Sequence, residues 1–190
     1  NFMLVIGNGQ SRSKIDLNKI YQEKIGCNAV FRDCYIDHLV CCDKRMVKQA
    51  IVHGHPSIYT RERWVNDFEN ESIRSLPDLV EQGNDRKDDP FHWGSGPYAV
   101  LLGAFMSKDV RLVGFDLYGI DKKINNVYNN TEGYKSSEAF ATDHSYWVYQ
   151  IAKVFTWFPN TTFRLYNTLE WNMPKEWKLA NISLDTLDKL

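Results

Sequence analysis

The chain has 190 residues, 43% of them hydrophobic and 25% charged, which is the size and composition of one globular domain over residues 1–190. Its formal net charge of −1 argues against binding DNA or RNA by phosphate neutralisation. No apolar run approaches the ~20 residues of a membrane-spanning helix, and the first residues lack the basic and apolar regions of a signal peptide.

Short apolar runs alternate with helical patterns along the chain, which is typical of a parallel sheet flanked by helices. The runs predicted to be strands are Phe2–Ile6, Ala29–Phe31, His38–Cys42, Ser57–Thr60, Val110–Phe115 and Thr162–Tyr166. Strands that are apolar nearly throughout suit a sheet covered on both faces. We therefore predict an α/β fold, a single Rossmann-like domain with a mostly parallel sheet and helices on both faces.

Three helices are predicted between these strands. The first runs from Lys44 to about residue 52. The second has Ser95 as its N-cap and Pro97 near its first position. The third begins near residue 142 or 143, carries apolar residues at helical spacing and ends before Pro159.

Two stretches have polar sequences and are predicted to be irregular loops. Residues 66–93 are strongly charged, and residues 119–137 are rich in Asn, Lys, Gly and Tyr. Each adjoins a segment that carries candidate site residues. A specificity loop and a solvated linker are both open interpretations of these stretches.

The four cysteines are Cys27, Cys34, Cys41 and Cys42. No CxxC pair is present, so the spacing gives no support for a zinc site. The adjacent pair stands in an apolar stretch, where cysteine usually acts as a small buried side chain. We therefore expect reduced thiols, no metal site and a cytoplasmic location.

The first glycine turn, Gly7-Asn8-Gly9-Gln10-Ser11, follows the first strand directly. Its glycines let the backbone approach a phosphate or ribose, and Asn8 and Ser11 can hydrogen-bond that group. Ligands of open parallel sheets bind beyond the carboxyl ends of strands, where this turn is expected. A plain strand-exit turn is the alternative interpretation.

The second glycine turn, Gly94-Ser95-Gly96-Pro97, leads into a predicted helix. Backbone amides at a helix start, together with the helix dipole, favour an anionic group. An ordinary serine cap is the alternative interpretation.

His144 stands in the first turn of the last predicted helix. The positive end of the helix dipole disfavours imidazolium, so the neutral ring can accept a proton near pH 7. Tyr118, Tyr128 and Tyr134 flank the preceding polar loop, and their hydroxyls can donate to a departing phosphate. Two glycine turns and a late histidine together indicate an enzyme acting on a nucleotide-linked substrate, whereas His53 and His55 are predicted to be structural.

In their order along the chain, these segments resemble the bacterial sialyltransferases of glycosyltransferase family 42. The matching segments are Gly7–Ser11 with Ile15-Asp16, Cys27-Asn28 with Phe31, Gly94–Tyr98, Gly114–Tyr118 and His144-Ser145. The chain departs from that family at Gln10, where the family has Pro, at Gly94, where it has Thr, and at His92, where it has Arg.

The resemblance implies an inverting, metal-independent transferase that uses a CMP-type nucleotide-sugar donor and a glycan acceptor, needs no further cofactor and forms a homo-oligomer. His144 would be the general base that deprotonates the acceptor hydroxyl, and Tyr118 and Tyr128 would stabilise the leaving phosphate. Together with the two glycine turns, the resemblance gives the candidate nucleotide-binding residues: Asn8, Gly9, Ser11, Asn28, Asp43, Ser95 and Gly96.

A second resemblance is to proteins of domain of unknown function 115, including archaeal-type hydroxymethylpterin pyrophosphokinases. Gly114-Phe115-Asp116-Leu117 suits their strand end. It implies pyrophosphate transfer from ATP with Mg²⁺, for which Asp43 and Asp116 could supply oxygen ligands. A third interpretation, favoured by His92 in place of the family Arg, is a non-catalytic nucleotide-binding module.

Overall fold

The computed structural model describes residues 1–117 and 144–190. The described strands are β1 (Met3–Ile6), β2 (Glu23–Cys27), β3 (His38–Val40), β4 (Ile58–Thr60), β5 (Ile73–Ser75), β6 (Asp109–Val113), β7 (Thr162–Asn167) and β8 (Ile182–Thr186). They form one sheet in the order β5-β4-β3-β2-β1-β6-β7-β8, and every neighbouring pair is parallel. The predicted Rossmann-like α/β fold is confirmed.

The described α-helices are α1 (Lys44–His53), α2 (Glu62–Val65), α3 (Ser95–Met106) and α4 (Ser145–Trp157). Short 3-10 helices cover Gln10–Lys14, Leu17–Lys19, Asn28–Arg32, Arg86–Asp88, Pro90–His92, Lys175–Trp177 and Leu187–Lys189. No helix in these described ranges is both long enough and apolar enough to cross a membrane.

Both faces of the sheet are buried, as the side chains of β1 illustrate. Val5 belongs to the hydrophobic cluster that includes α3 and α4, whereas Leu4 and Ile6 belong to the cluster that includes α1. This alternation follows from the two-residue period of a strand. Each such buried side chain contributes roughly 1.5–3 kcal/mol to stability. Helices therefore cover both faces, as predicted.

The predicted strand at Ala29–Phe31 is wrong. These residues lie in the 3-10 helix Asn28–Arg32, and the strand is the segment just before it, Glu23–Cys27. Asn28 has a φ of 53°, which turns the chain out of the sheet. Ala29–Phe31 are buried because they pack on the sheet's face, not because they pair within it.

Helix ends differ from prediction by one to three residues, and the largest difference is at the start of α4, which begins at Ser145 and not at residue 142 or 143. Helix α1 begins at Lys44 as predicted and ends at His53, one residue later than predicted. Asp43 caps its start by accepting a hydrogen bond from the Arg45 amide at 2.8 Å. Gly94, not Ser95, is the N-cap of α3. His144 is the N-cap of α4, whose last residue lies shortly before Pro159.

The four cysteines are free thiols. Burial raises the pKa of Cys27, Cys41 and Cys42 above the ordinary value for a thiol. They are therefore protonated and unreactive near neutral pH, which agrees with the predicted structural role of the adjacent pair.

His55 is a buried structural residue, as predicted. Its Nε2 lies 2.9 Å from the carbonyl oxygen of Ile36, and its Nδ1 accepts a hydrogen bond from the amide of Ser57 at 3.2 Å. Burial lowers the pKa of His55 below its ordinary value of 6.5. The ring is therefore neutral in the folded protein at pH 7.

The His55 environment predicts a pH dependence of stability. Below about pH 6.5 the unfolded chain binds a proton at His55 that the folded chain does not, so the free energy of unfolding falls as the pH is lowered through this range. Urea denaturation at a series of pH values should show a smaller fall in the His55→Gln variant. The exposed His53→Gln variant is the matched control, and an equal change in its slope would contradict the assignment.

Candidate functional site

The candidate site lies where the strand order reverses direction. From β1 the chain proceeds to β2 and β3 on one side, whereas β6, on the other side of β1, leads to β7 and β8. In open parallel sheets, ligands bind in the crevice outside the carboxyl ends of the strands at such a point. The turns after β1, β2 and β6 all open onto this crevice.

The turns after β1 and β6 are in direct backbone contact. The amide of Gly7 donates to the carbonyl of Val113 at 2.8 Å, and the amide of Gly9 donates to the carbonyl of Gly114 at 2.8 Å. A Cβ added to Gly7 or to Gly114 would lie closer than 3.0 Å to the other glycine's carbonyl oxygen. Gly114 also has a φ of 79°. Glycine is therefore required on both sides of the contact.

The side chain of Asn8 is held between β1 and β2. Its Nδ2 donates to the carbonyl of Cys27 at 3.0 Å, and its Oδ1 accepts from Nη2 of Arg12 at 3.2 Å. Arg12 is buried and also donates through Nε to the carbonyl of Gly7 at 3.0 Å. The sequence analysis missed Arg12, because a single basic residue after a glycine turn carries no distinctive signal.

Asp116 is a buried anchor for the first glycine turn. One carboxylate oxygen accepts from the amide of Ser11 at 2.9 Å, and the other accepts from the Ser11 hydroxyl and from Nδ2 of Asn167 at 3.3 Å. The backbone carbonyl of Asp116 accepts from Nε1 of Trp171 at 2.8 Å. Ser11, predicted as a ligand contact, therefore directs its hydroxyl to Asp116 and is not in the cavity wall.

The structure brings together five residues that the sequence analysis proposed separately: Asn8, Gly9, Asn28, Gly96 and His144. They line one cavity of about 80 Å³ at the carboxyl ends of the strands. The remaining lining residues are Gly7, Cys27, Gly114, Phe115, Leu117 and Trp147. These five come from four distant segments of the chain, so only the fold makes them neighbours.

Ser95 supports this cavity without lining it. Its hydroxyl accepts a hydrogen bond from the amide of Cys42 at 3.0 Å and donates to Oδ1 of Asn28 at 3.2 Å. Its carbonyl accepts from Sγ of Cys27 at 3.6 Å. Ser95 therefore orients the Asn28 amide, which stands in a left-handed backbone conformation where asparagine is tolerated.

Trp147 joins the start of α4 to the second glycine turn. A Cβ added to Gly94 would lie 2.7 Å from Nε1 of Trp147, and one added to Gly96 would lie 2.9 Å from its Cζ3. The ring of His144 contacts the Trp147 indole edge-on, with the ring centroids 5.3 Å apart. The glycines thus admit the indole, which fixes where the start of α4, and so His144, meets α3.

Besides Ser11 and Ser95, three candidate residues are not among the residues that line the described cavity. Asp43 lies at the start of α1, half-exposed, where its carboxylate caps the helix and pairs with Arg45. Tyr118 and Tyr128 lie outside the described residues. His92, which stands at the family's Arg position, lies in the 3-10 helix Pro90–His92, and its Nε2 is 3.3 Å from Nε of Arg86.

Within residues 1–117 and 144–190, no group of three or more His, Cys, Asp or Glu side chains is placed to hold a metal ion. The two proposed Mg²⁺ ligands, Asp43 and Asp116, both accept hydrogen bonds from protein donors. The described part of the chain therefore offers no assembled oxygen-ligand set.

Comparison of the chain with family models, curated proteins and solved structures gives no match. A proposal about function therefore rests on the residues and geometry described above.

The contact between Gly7 and Gly114 predicts a large loss of stability in the Gly114→Ala variant. Alanine at position 114 would have to adopt a left-handed backbone conformation, and its Cβ would clash with the carbonyl oxygen of Gly7. Gly54→Ala is the matched control, because Gly54 has a φ of 84° but open space around its added Cβ. That control should cost roughly 1–2 kcal/mol, and Gly114→Ala should cost more in urea denaturation. Equal losses would show that the backbone contact adds nothing.

The anchoring role of Asp116 predicts that Asp116→Asn destabilises the fold by roughly 1–3 kcal/mol. An amide nitrogen at this position would face the Ser11 or Asn167 donors in place of an oxygen acceptor. The control is Asp67→Asn, because Asp67 pairs with Lys44 on the surface and should contribute at most ~1 kcal/mol. Denaturation of the two variants beside the parent protein measures the difference, and a neutral Asp116→Asn would contradict the anchor.

Proposed function

We propose that this protein is a glycosyltransferase of the sialyltransferase type, which transfers a sugar from a CMP-activated donor to a glycan acceptor. The observation that carries the proposal is the position of His144 in the same cavity wall as Gly9, Asn28 and Gly96. A group able to move a proton therefore faces the two turns that the resemblance assigns to the nucleotide.

The cavity suits the phosphate and ribose of a nucleotide. Gly7, Gly9 and Gly96 line the cavity without side chains of their own. Because the amides of Gly7 and Gly9 already donate to the carbonyls of Val113 and Gly114, the amides at the start of α3 are the ones that a ligand oxygen would approach. Gly96 lies in the first turn of the twelve-residue helix α3, whose positive dipole end favours an anionic group. Asn28, oriented by Ser95, adds an amide that can hydrogen-bond a ribose hydroxyl or a base edge.

His144 would act as the general base. The acceptor hydroxyl attacks the anomeric carbon of the donor from the face opposite the CMP phosphate, which inverts the configuration. The bond from the anomeric carbon to the phosphate oxygen breaks as the new glycosidic bond forms, and the acceptor proton passes to His144. Trp147, packed against both His144 and Gly96, would restrict the ring's position beside the leaving group.

The pyrophosphokinase alternative fits these residues less well. It needs Asp43 and Asp116 as Mg²⁺ ligands, but Asp116 is engaged by Ser11 and Asn167 and Asp43 caps α1. The non-catalytic alternative gives no role to His144 in the cavity wall. Ligand binding and turnover distinguish both alternatives from the proposed function.

The proposal predicts that CMP binds without added metal. A thermal-shift panel of CMP, CDP, UDP, GDP and ATP, each with and without Mg²⁺, should show stabilisation by CMP in both conditions. At a hundred times its Kd the ligand should add ~2.7 kcal/mol to the free energy of unfolding. Failure of CMP to bind would overturn the proposal, and binding of ATP only with Mg²⁺ would favour pyrophosphate transfer.

For the His144→Ala variant, we expect CMP affinity to be unchanged while transfer or hydrolysis of a CMP-sugar falls ~10²–10⁴-fold. The exposed His53→Ala variant is the control and should keep both properties. CMP binding without any turnover in the parent protein would leave the non-catalytic module as the better description.

A further inference from the structure

A second cavity, larger than the first, lies beside it at the carboxyl ends of β4 and β5. Its volume is about 320 Å³. The two cavities share the first turn of α3, since Gly96 lines the first and Tyr98 lines the second. The start of α3 therefore separates a molecule in the second cavity from one in the first.

The charges around the second cavity are mixed, so neither an anion nor a cation gains a strong net attraction there. Two guanidinium groups, on Arg61 and Arg63, and three carboxylates, on Glu62, Asp78 and Asp89, line it together. An anion would meet the three carboxylates and a cation would meet the two guanidinium groups, so either would face repulsion at close range. A neutral ligand with both hydrogen-bond donors and acceptors would be complementary to both sets of groups.

The same cavity also has apolar walls. Leu76 and Leu79 are buried beneath it, and the ring of Phe91 is 45% exposed at its side. The amide of Gln82 adds one more donor and acceptor group. An apolar surface with a few convergent polar groups is the usual character of a small-molecule site. A sugar ring, with C–H groups on its faces and hydroxyls around its edge, is a neutral molecule that matches both features.

The wall that carries Phe91 is fixed in place. Arg61, just after β4, donates from Nη1 to the carbonyl of Pro90 at 2.7 Å and from Nη2 to the carbonyl of Trp93 at 2.8 Å. The guanidinium of Arg63 lies over the Phe91 ring, 4.0 Å from its centroid. The cavity is thus held before any ligand binds, which lowers the entropic cost of binding.

We propose that this second cavity binds a neutral saccharide. Its role as the acceptor site of glycosyl transfer rests on the proposed function, because the first cavity must then hold the donor. Saccharide binding itself follows from the lining of the second cavity and does not depend on the donor.

The test is a glycan array probed with the labelled full chain. Neutral glycans should bind and their acidic counterparts should not bind more tightly. Phe91→Ala should weaken neutral-glycan binding about tenfold or more, as truncating a central aromatic contact does. The matched control is Phe105→Ala, because Phe105 is 52% exposed and lines neither of the two cavities. Its ring packs edge-on against that of Phe158.

The outcomes separate this inference from the proposed function. Absence of neutral-glycan binding, a preference for acidic glycans, or equal losses in both phenylalanine variants would overturn the saccharide site. Gln82→Ala and Asp78→Asn, at exposed positions, give the same test if Phe91→Ala does not fold. CMP binding, measured in parallel, would survive failure of the saccharide site, whereas glycan binding without CMP binding would overturn only the proposed function.

Discussion

The contact between the Gly7 and Gly114 backbones is the constraint on which the candidate site depends. It sets the distance between the turns after β1 and β6, and any side chain at either glycine would separate them. The hydrogen bond from Gly9 to Gly114 then directs the first turn across the carboxyl ends of the strands. Asn8 projects toward β2 because of this turn, and Ser11 reaches Asp116.

A second close approach determines where His144 lies. Gly94 and Gly96 admit the indole of Trp147 against the start of α3. Larger residues there would displace α4 and with it His144. The two pairs of glycines therefore have different roles. Gly7 and Gly114 allow the turns after β1 and β6 to touch, and Gly94 and Gly96 allow the start of α4 to pack against the start of α3. The cavity is the space between these two contacts.

The parts of the site that could be predicted from sequence are those with local signals. A strand followed by Gly7-Asn8-Gly9, and Gly94-Ser95-Gly96 before an apolar helical pattern, each indicate their own backbone geometry within a few residues. The start of α4 was predicted within three residues from the apolar spacing, and its end was predicted from Pro159. Parallel strand order then places the carboxyl ends on one edge, which is why five predicted residues meet.

Features that depend on distant pairing could not be predicted. Strand β2 was missed because it contains Lys24, and lysine is rarely buried. In the fold the Lys24 side chain is buried, and its ammonium group donates hydrogen bonds to the carbonyls of Ile20 and Gln22. Strands β5 and β8 lie at the two edges of the sheet, where fewer of their side chains are buried. Their sequences therefore contain no apolar run that would predict a strand. Trp147 has the spacing of an ordinary core residue, and its contact with Gly96 is visible only in the folded chain.

The polar residues of the site divide into those that only support the turns and those that also line the cavity. Ser11, Arg12 and Asp116 form bonds with other protein groups and hold the first turn in position. Ser95 belongs with them, although the sequence analysis predicted that it contacts the nucleotide. Asn8, Asn28 and His144 differ because they line the cavity itself, although Asn8 and Asn28 also bond to protein groups. A serine after a glycine turn has the same sequence pattern in either role, so only its partners distinguish support of the backbone from contact with a ligand.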